Sequence, residues 1–224
     1  MNSFGVRSHI NELEALTNEL EALTKESFAL GLKQLANLDR DLAQILEQLG
    51  HPPMWKREAG FPGLIRIILE QQVSLASARA VFERLRQSVV PLTPENFLTL
   101  EQTQLKAIGF SRQKSQYGRI LATAIATGEI DLTQLATQDE TTIRTKLKQL
   151  KGIGDWTVDI YLLLALQRPD VFPKGDLALA IATQKLKGLI VRPTPTELEA
   201  IADNWRPWRA VAARILWHYY LSGG

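Results

Sequence analysis

The 224-residue chain has no cysteine, which excludes disulfides, thiolate metal sites and thiol catalysis and points to a reducing compartment such as the cytosol. Histidine is scarce as well: only His9, His51 and His218 occur, and His218, next to Trp217, reads as core-associated. Long apolar runs are missing, none approaching the ~20 residues that span a bilayer. Residues 1–7 lack the apolar stretch of a secretory signal. There is no sustained β-type alternation, and neither sign of charge dominates, the net being +2. What remains is a globular chain with 45% hydrophobic and 22% charged residues, long enough for a sizeable core. No metal, cofactor or membrane is expected of it.

Nearly everything present reads as helix, because apolar residues recur at three- and four-residue spacing. Thr194-Pro195-Thr196-Glu197 is a capping box with proline at the first helical position, and Thr93-Pro94-Glu95 opens a helix the same way. Thr137 with Glu140 reads as a further helix start. Helices of roughly 8–18 residues joined by short Gly or Pro turns predict an all-α fold.

The segment at residues 11–17 recurs unchanged at 18–24, so that Leu13, Leu16, Leu20 and Leu23 form a heptad seam. Two heptads fall short of the ~3–4 of a convincing coiled coil. The segment is therefore expected to dock on its own domain or fray, leaving a monomer, with dimerisation through the seam as the alternative. Residues 1–26 hold five acids and two bases, so the rest of the chain carries an excess of five positive charges, compatible with phosphate binding. His51-Pro52-Pro53 breaks the chain. The expected organisation is an acidic helical extension at 1–26 and a domain at 27–224, with one subdomain at about 60–150 and another at 27–59 plus 151–224.

The most informative stretch is Leu150-Lys151-Gly152-Ile153-Gly154-Asp155-Trp156-Thr157. Two glycines around Ile153 allow positive φ and close backbone approach. Ile153 can plug such a hairpin into the core while the amides around Gly152 and Gly154 face outward, and a helix starting at Asp155 or Trp156 presents its positive end to an anion. A phosphate fits, with Lys148 and Lys151 flanking. The competing interpretation is an ordinary helix connection with glycine as a C-cap. A weaker echo, Leu105-Lys106-Ala107-Ile108-Gly109-Phe110, lacks the first glycine and reads as mainly structural, with Lys114 a candidate phosphate contact. Downstream, Val171-Phe172-Pro173-Lys174-Gly175-Asp176 delivers a carboxylate to the start of the helical run 177–186. On spacing alone, Asp176 reads as an N-cap.

These segments arrive in a set order: Gln71-Gln72-Val73-Ser74, Gly109-Phe110-Ser111, the hairpin, Asp176, then Trp205-Arg206-Pro207-Trp208-Arg209. From about His51 to the C-terminus the chain resembles the helix-hairpin-helix (HhH-GPD) DNA glycosylase superfamily, and within it the 3-methyladenine DNA glycosylase II (AlkA-type) branch. The resemblance implies two helical subdomains flanking a cleft, duplex DNA with alkylated bases as partner, and action in the cytoplasm, associated with the nucleoid if the source is bacterial. It also implies that Asp176 is the catalytic carboxylate, that Trp156, Trp217 and, less directly, Tyr161 line the base pocket, and that Gln72 fills the gap left by a flipped base. Lys151, Gly152, Ile153 and Gly154 would hold DNA. Bifunctional members place a Schiff-base lysine two positions after the second hairpin glycine, where this chain has Trp156, and the four cysteines of an iron–sulfur cluster are missing. The implied activity is monofunctional.

The chemistry agrees with a single essential carboxylate. N-glycosidic cleavage passes through an oxocarbenium-like sugar, which a carboxylate can stabilise while it orients the attacking water. A purine alkylated at N3 or N7 is already cationic and departs neutral, and cationic bases stack well on aromatic rings. Asp155, Asp159 and Asp170 are rivals to Asp176, with Asp159 first among them. Two other functions stay open at this point: a non-catalytic DNA-binding module, and a glycosylase for a neutral lesion such as uracil or a deaminated base.

Overall fold

The computed structural model describes residues 22–223, so the seam residues Leu13, Leu16 and Leu20 lie outside the described part. Among the described residues the chain is all helix and turn, with no strand. In chain order the helices are α1 (Lys25–Leu38), α2 (Arg40–Leu49), α3 (Phe61–Glu70), α4 (Leu75–Ser88), α5 (Pro94–Leu98), α6 (Gln102–Ile108) and α7 (Arg112–Ala126). There follow α8 (Leu132–Ala136), α9 (Glu140–Lys148), α10 (Asp155–Ile160), α11 (Leu177–Leu186), α12 (Pro195–Ala202) and α13 (Arg209–Leu221). Two compact units are built from them: the chain up to Lys56 joins Gln167 onward in an outer unit, and Arg57–Leu166 forms a middle unit.

The outer unit is organised by α13, which packs on α1, α2 and α11. Its residues 210–216 are all buried, and Leu35, Leu42, Leu179, Ile215 and Leu216 are sealed from solvent. Burying each such side chain contributes roughly 1.5–3 kcal/mol relative to leaving it exposed. Polar ties fix the approach to α13. The Asp170 carboxylate accepts from Arg209 Nε (2.9 Å) and Arg206 Nη1 (2.5 Å). Asp39, the N-cap of α2, accepts from Trp205 Nε1 (2.8 Å) and from the Lys187 ammonium (2.9 Å), which holds its carboxyl below the ordinary range against the cost of burial. Trp205 and Trp208 are core residues, 1% and 2% exposed, the latter donating its indole N–H to Gln34. Arg214, fully buried on α13, donates to Ala210 O, Trp55 O and Gln167 Oε1, and burial lowers its pKa to about 10.

The middle unit surrounds α3, whose Leu64, Ile65, Ile67 and Ile68 are completely buried. Helices α4, α7 and α10 pack on it. Phe61, Phe97 and Phe110 form a chain of tilted ring contacts with centroids 5.5 and 5.9 Å apart. Glu70, at the end of α3, is buried and accepts from both Arg57 (3.1 Å) and Arg66 (3.2 Å).

Local capping follows the sequence at Thr93 and at Thr194 with Glu197. It departs at α9, where Asp139, not Thr137, is the N-cap. The Asp139 carboxylate accepts the Thr142 N–H at 2.9 Å, and Thr137 instead closes α8. The chain leaves the middle unit at residue 166 instead of near 151. From the hairpin onward α10 continues without a break into a π-helical turn at Tyr161–Ala165, and residues 157–164 are all buried. No Gly or Pro interrupts this apolar run, and the passage comes at Gln167, whose φ is +57°.

Candidate active site and DNA grip

Both candidate segments sit at helix starts, each in its own unit. In the middle unit the hairpin joins α9 to α10. Gly152 has φ +97°, a conformation L side chains rarely adopt, and a Cβ there would lie 2.1 Å from the Tyr117 ring. Tyr117 is fixed in turn by Gln113, whose amide donates to its hydroxyl at 2.6 Å. Ile153 is 5% exposed and its N–H closes the turn onto Leu150 O at 3.0 Å, so it is the plug its apolar side chain suggests. Gly154 caps α10 with φ −104°, open to any residue, and a Cβ would meet nothing within 4 Å. The protein itself therefore gives no steric reason for glycine at 154. The amides of Gly152 and Gly154 donate to nothing among the described residues. Lys151 is exposed, whereas Lys148 pairs with Asp155 at 2.6 Å across the turn.

Around the hairpin the structure assigns work that the sequence did not show. Arg144 on α9 meets Asp159 on α10 at 2.5 Å and clamps the two helices together. Burial raises the Asp159 pKa to about 6, against the pull of Arg144 and with help from the nearby negative charges of Asp155 and Glu140. Asp159 is 4% exposed, which removes it as a rival to Asp176 for a reaction that needs water. Asp155 and Asp170 are engaged in the ion pairs already described. Lys114 turns inward: its ammonium donates to Leu69 O at 2.6 Å in the last turn of α3, and burial lowers its pKa. Gln72 is exposed with φ +55°, and it is the preceding Gln71 whose amide reaches the hairpin, donating to Gly152 O (2.8 Å) and Thr157 Oγ1 (2.9 Å). No local sequence signal marks Gln71, because its partners are more than 80 residues away.

The two proposed stacking rings of this unit differ. Trp156 is half-buried in the first turn of α10. Tyr161 is 1% exposed and accepts the Gly60 N–H at 3.1 Å, and burial raises its pKa, so it belongs to the core.

In the outer unit Asp176 is the N-cap of α11, half-buried, with Oδ1 accepting the Leu179 N–H at 3.0 Å. The same oxygen accepts from Trp217 Nε1 at 3.1 Å. The helix end and the indole N–H together fix the orientation of the carboxylate. Carboxylate and aromatic ring, 41 residues apart, are thus brought together. His218, the neighbour of Trp217, faces elsewhere, its Nε2 lying 3.2 Å from Leu49 O.

A groove of about 1160 Å³ adjoins the hairpin on the middle unit, and Lys106, Arg112, Arg119 and Lys151 line it with a single acid, Glu129. A hairpin with unengaged glycine amides beside a groove lined by four cationic side chains, on an all-helical scaffold, is the arrangement of the helix-hairpin-helix class. The chain belongs to the HhH-GPD superfamily of base excision DNA repair proteins, whose family model matches residues 65–207.

Among its relatives, DNA-3-methyladenine glycosylase 1 of Schizosaccharomyces pombe is 30% identical over 192 residues, covering 82% of this chain and 83% of that protein. The alkylbase DNA glycosidase-like protein mag2 of the same yeast is 26% identical, covering 83% and 90%. The structure of an S. pombe 3-methyladenine DNA glycosylase in complex with abasic DNA superimposes with a TM-score of 0.78 at 28% identity, covering 84% of this chain and 94% of that one.

Proposed function

We propose that this chain is a monofunctional DNA glycosylase that hydrolyses the N-glycosidic bond of alkylated purines in duplex DNA, 3-methyladenine and 7-methylguanine being the type substrates, and so starts base excision repair. The observation that carries this reading is the Asp176 carboxylate, held by a helix N-terminus and by the Trp217 indole N–H in a chain whose relatives bear the name 3-methyladenine glycosylase. The hairpin amides and the cationic groove supply the grip on DNA, and Trp217, bonded to the carboxylate, offers a ring to a cationic base. Gln72, exposed on its left-handed turn, fills the gap that the flipped base leaves.

In the reaction the C1′–N bond breaks and its electron pair enters the alkylated ring, which neutralises the base. Asp176 stabilises the positive charge on the sugar. Water adds to C1′ and gives up a proton to the carboxylate, leaving an abasic site and a free base. No lysine stands at position 156 to form a Schiff base, so no strand cleavage accompanies the step.

The test is base release from methylated duplex DNA, followed by chromatography, for wild type and Asp176→Asn. Asparagine caps helices as well as aspartate does, so the variant keeps its fold. Loss of one charge-stabilising and proton-accepting group lowers the rate about 10²–10⁴-fold while DNA binding persists. Near-normal turnover by Asp176→Asn would sink the assignment of the carboxylate. DNA binding without release of any methylated purine by wild type would replace the enzyme by a binding module or by an enzyme for another lesion.

A further inference from the structure

At the end of α3 the chain makes two consecutive, unlike turns. Gln71 is extended at φ −60° and points its amide inward, whereas Gln72 is left-handed at φ +55° and exposed. Val73 and Leu75 follow, 46% and 56% exposed, so that the segment ends in a polar-then-apolar tip. Gln71 Nε2 has two hydrogens, and the structure gives each a partner: Gly152 O at 2.8 Å and the hydroxyl of Thr157, itself 2% exposed, at 2.9 Å. The Gly152 carbonyl is thereby held from inside the protein in the one residue of the hairpin with positive φ, and Tyr117 fills the space beneath it. The tip itself is anchored, since Lys114 donates to Leu69 O two residues before Gln71.

We propose that Gln71 is the positioning residue that makes the Gln72 tip and the phosphate hairpin a single DNA-gripping element. A phosphate held by the hairpin then fixes, through this strut, the depth at which the tip enters the base stack. The inference rests on the proposed roles of the hairpin and of Gln72 in DNA binding, and it adds the residue that couples them. A merely structural Gln71 predicts lost stability with two independent DNA contacts. A coupling Gln71 predicts that damage to one contact devalues the other.

The experiment is a double-mutant cycle of Gln71→Met with Gln72→Ala, read on undamaged duplex and on a duplex carrying an abasic analogue beside 2-aminopurine. Affinity for the undamaged duplex reports the hairpin grip, and 2-aminopurine fluorescence reports unstacking by the tip. Methionine keeps the length and loses both donors. Gln71→Met is expected to weaken binding of undamaged duplex about five- to thirtyfold, the scale of one or two hydrogen bonds. Gln72→Ala, which lowers the fluorescence change in the wild-type background, should have less than half that effect when Gln71 is already Met.

Independent, multiplicative effects, or unchanged duplex affinity in Gln71→Met, would overturn the proposal. If Gln71→Met does not fold, Thr157→Val takes its place in the cycle, removing one of the two partners. A two- to tenfold loss with the same non-additivity supports the strut, and additive behaviour rejects it. Neither readout needs turnover, so failure of the glycosylase reading appears separately, as absence of base release.

Discussion

Between α6 and α7 the turn at Gly109 uses its amides inside the protein: the Gly109 N–H donates to Leu105 O and Lys106 O, and the Phe110 N–H to Leu105 O. Arg84 Nε seals the remaining carbonyl, Ile108 O, at 2.7 Å, and a Cβ on Gly109 would lie 2.7 Å from the other end of that arginine. Between α9 and α10 the amides of Gln149, Leu150 and Ile153 donate inside the protein, while those of Gly152 and Gly154 stay unengaged among the described residues and Gly154 has open space where a side chain would be. Both connections have the outline of a helix–turn–helix with a glycine at positive φ. One is a closed C-cap, and the other leaves donors for a partner. Glycine in the first is explained by the fold alone, whereas the fold gives no steric reason for glycine at 154 in the second.

Substituting the positive-φ glycine of each turn is the severest way to break the comparison. Gly152→Ala forces backbone strain and a clash with the Tyr117 ring, for a combined cost of about 3 kcal/mol or more, and also disorders the DNA grip. Gly109→Ala should cost about 2 kcal/mol through strain and displaced Arg84, yet leave the duplex affinity of the folded protein unchanged. Denaturant unfolding paired with fluorescence anisotropy on duplex DNA separates the two. If Gly109→Ala weakens DNA binding as much as Gly152→Ala does, the distinction between the turns is lost.

A finer probe is Gly154→Ala. With φ −104° and nothing within 4 Å, the alanine should change stability by less than about 0.5 kcal/mol. It should still weaken duplex binding about tenfold, because its methyl group stands where a phosphate approaches. Unaltered affinity in this variant would mean that the open turn faces nothing.

The smallest effect concerns pH. The Asp159–Arg144 clamp belongs only to the open connection, and the Asp159 pKa is raised to about 6 in the folded chain. A carboxyl whose folded pKa lies above its unfolded one stabilises the protein while protonated, and that contribution fades as pH climbs toward and through 6. Between pH 5 and 7.5 the loss from this group is on the order of 1 kcal/mol, and Asp159→Asn should flatten the corresponding part of the melting-temperature profile. An identical pH profile in the variant would show that Arg144 keeps Asp159 charged throughout.

What could be read from the chain was what neighbouring residues decide. Thr194 and Glu197 cap a helix three residues apart, Asp176 caps the helix it precedes, and the Gly-Ile-Gly spacing makes a turn whichever helices it joins. The helix at α9 starts two residues later than Thr137 suggests, because the Asp139 carboxylate caps the Thr142 N–H while Thr137 closes α8. The limit of the middle unit was not legible, since the apolar run from Val158 to Leu164 carries no breaker and only packing shows which unit it serves. For the site, the carboxylate and the hairpin were visible, but their supports were not. Trp217 reaches Asp176 across 41 residues and Gln71 reaches Gly152 across 81, distances over which a sequence pattern carries no geometry. Tyr161 has the chemistry of a surface ligand and is drawn into the core, where it accepts a backbone amide, whereas Lys114 stays half-buried with its ammonium on a helix end.

The outer unit is assembled from segments on either side of the middle unit, and this orders events during synthesis. The middle unit is complete once Leu166 has left the ribosome, and it can fold as an insert while the rest is still being made. Helices α1 and α2 must wait for α13, which follows the whole middle unit, before their apolar faces are covered. The indole that holds Asp176 is carried on that same helix. A nascent chain can therefore possess a finished hairpin while Asp176 still lacks its Trp217 partner.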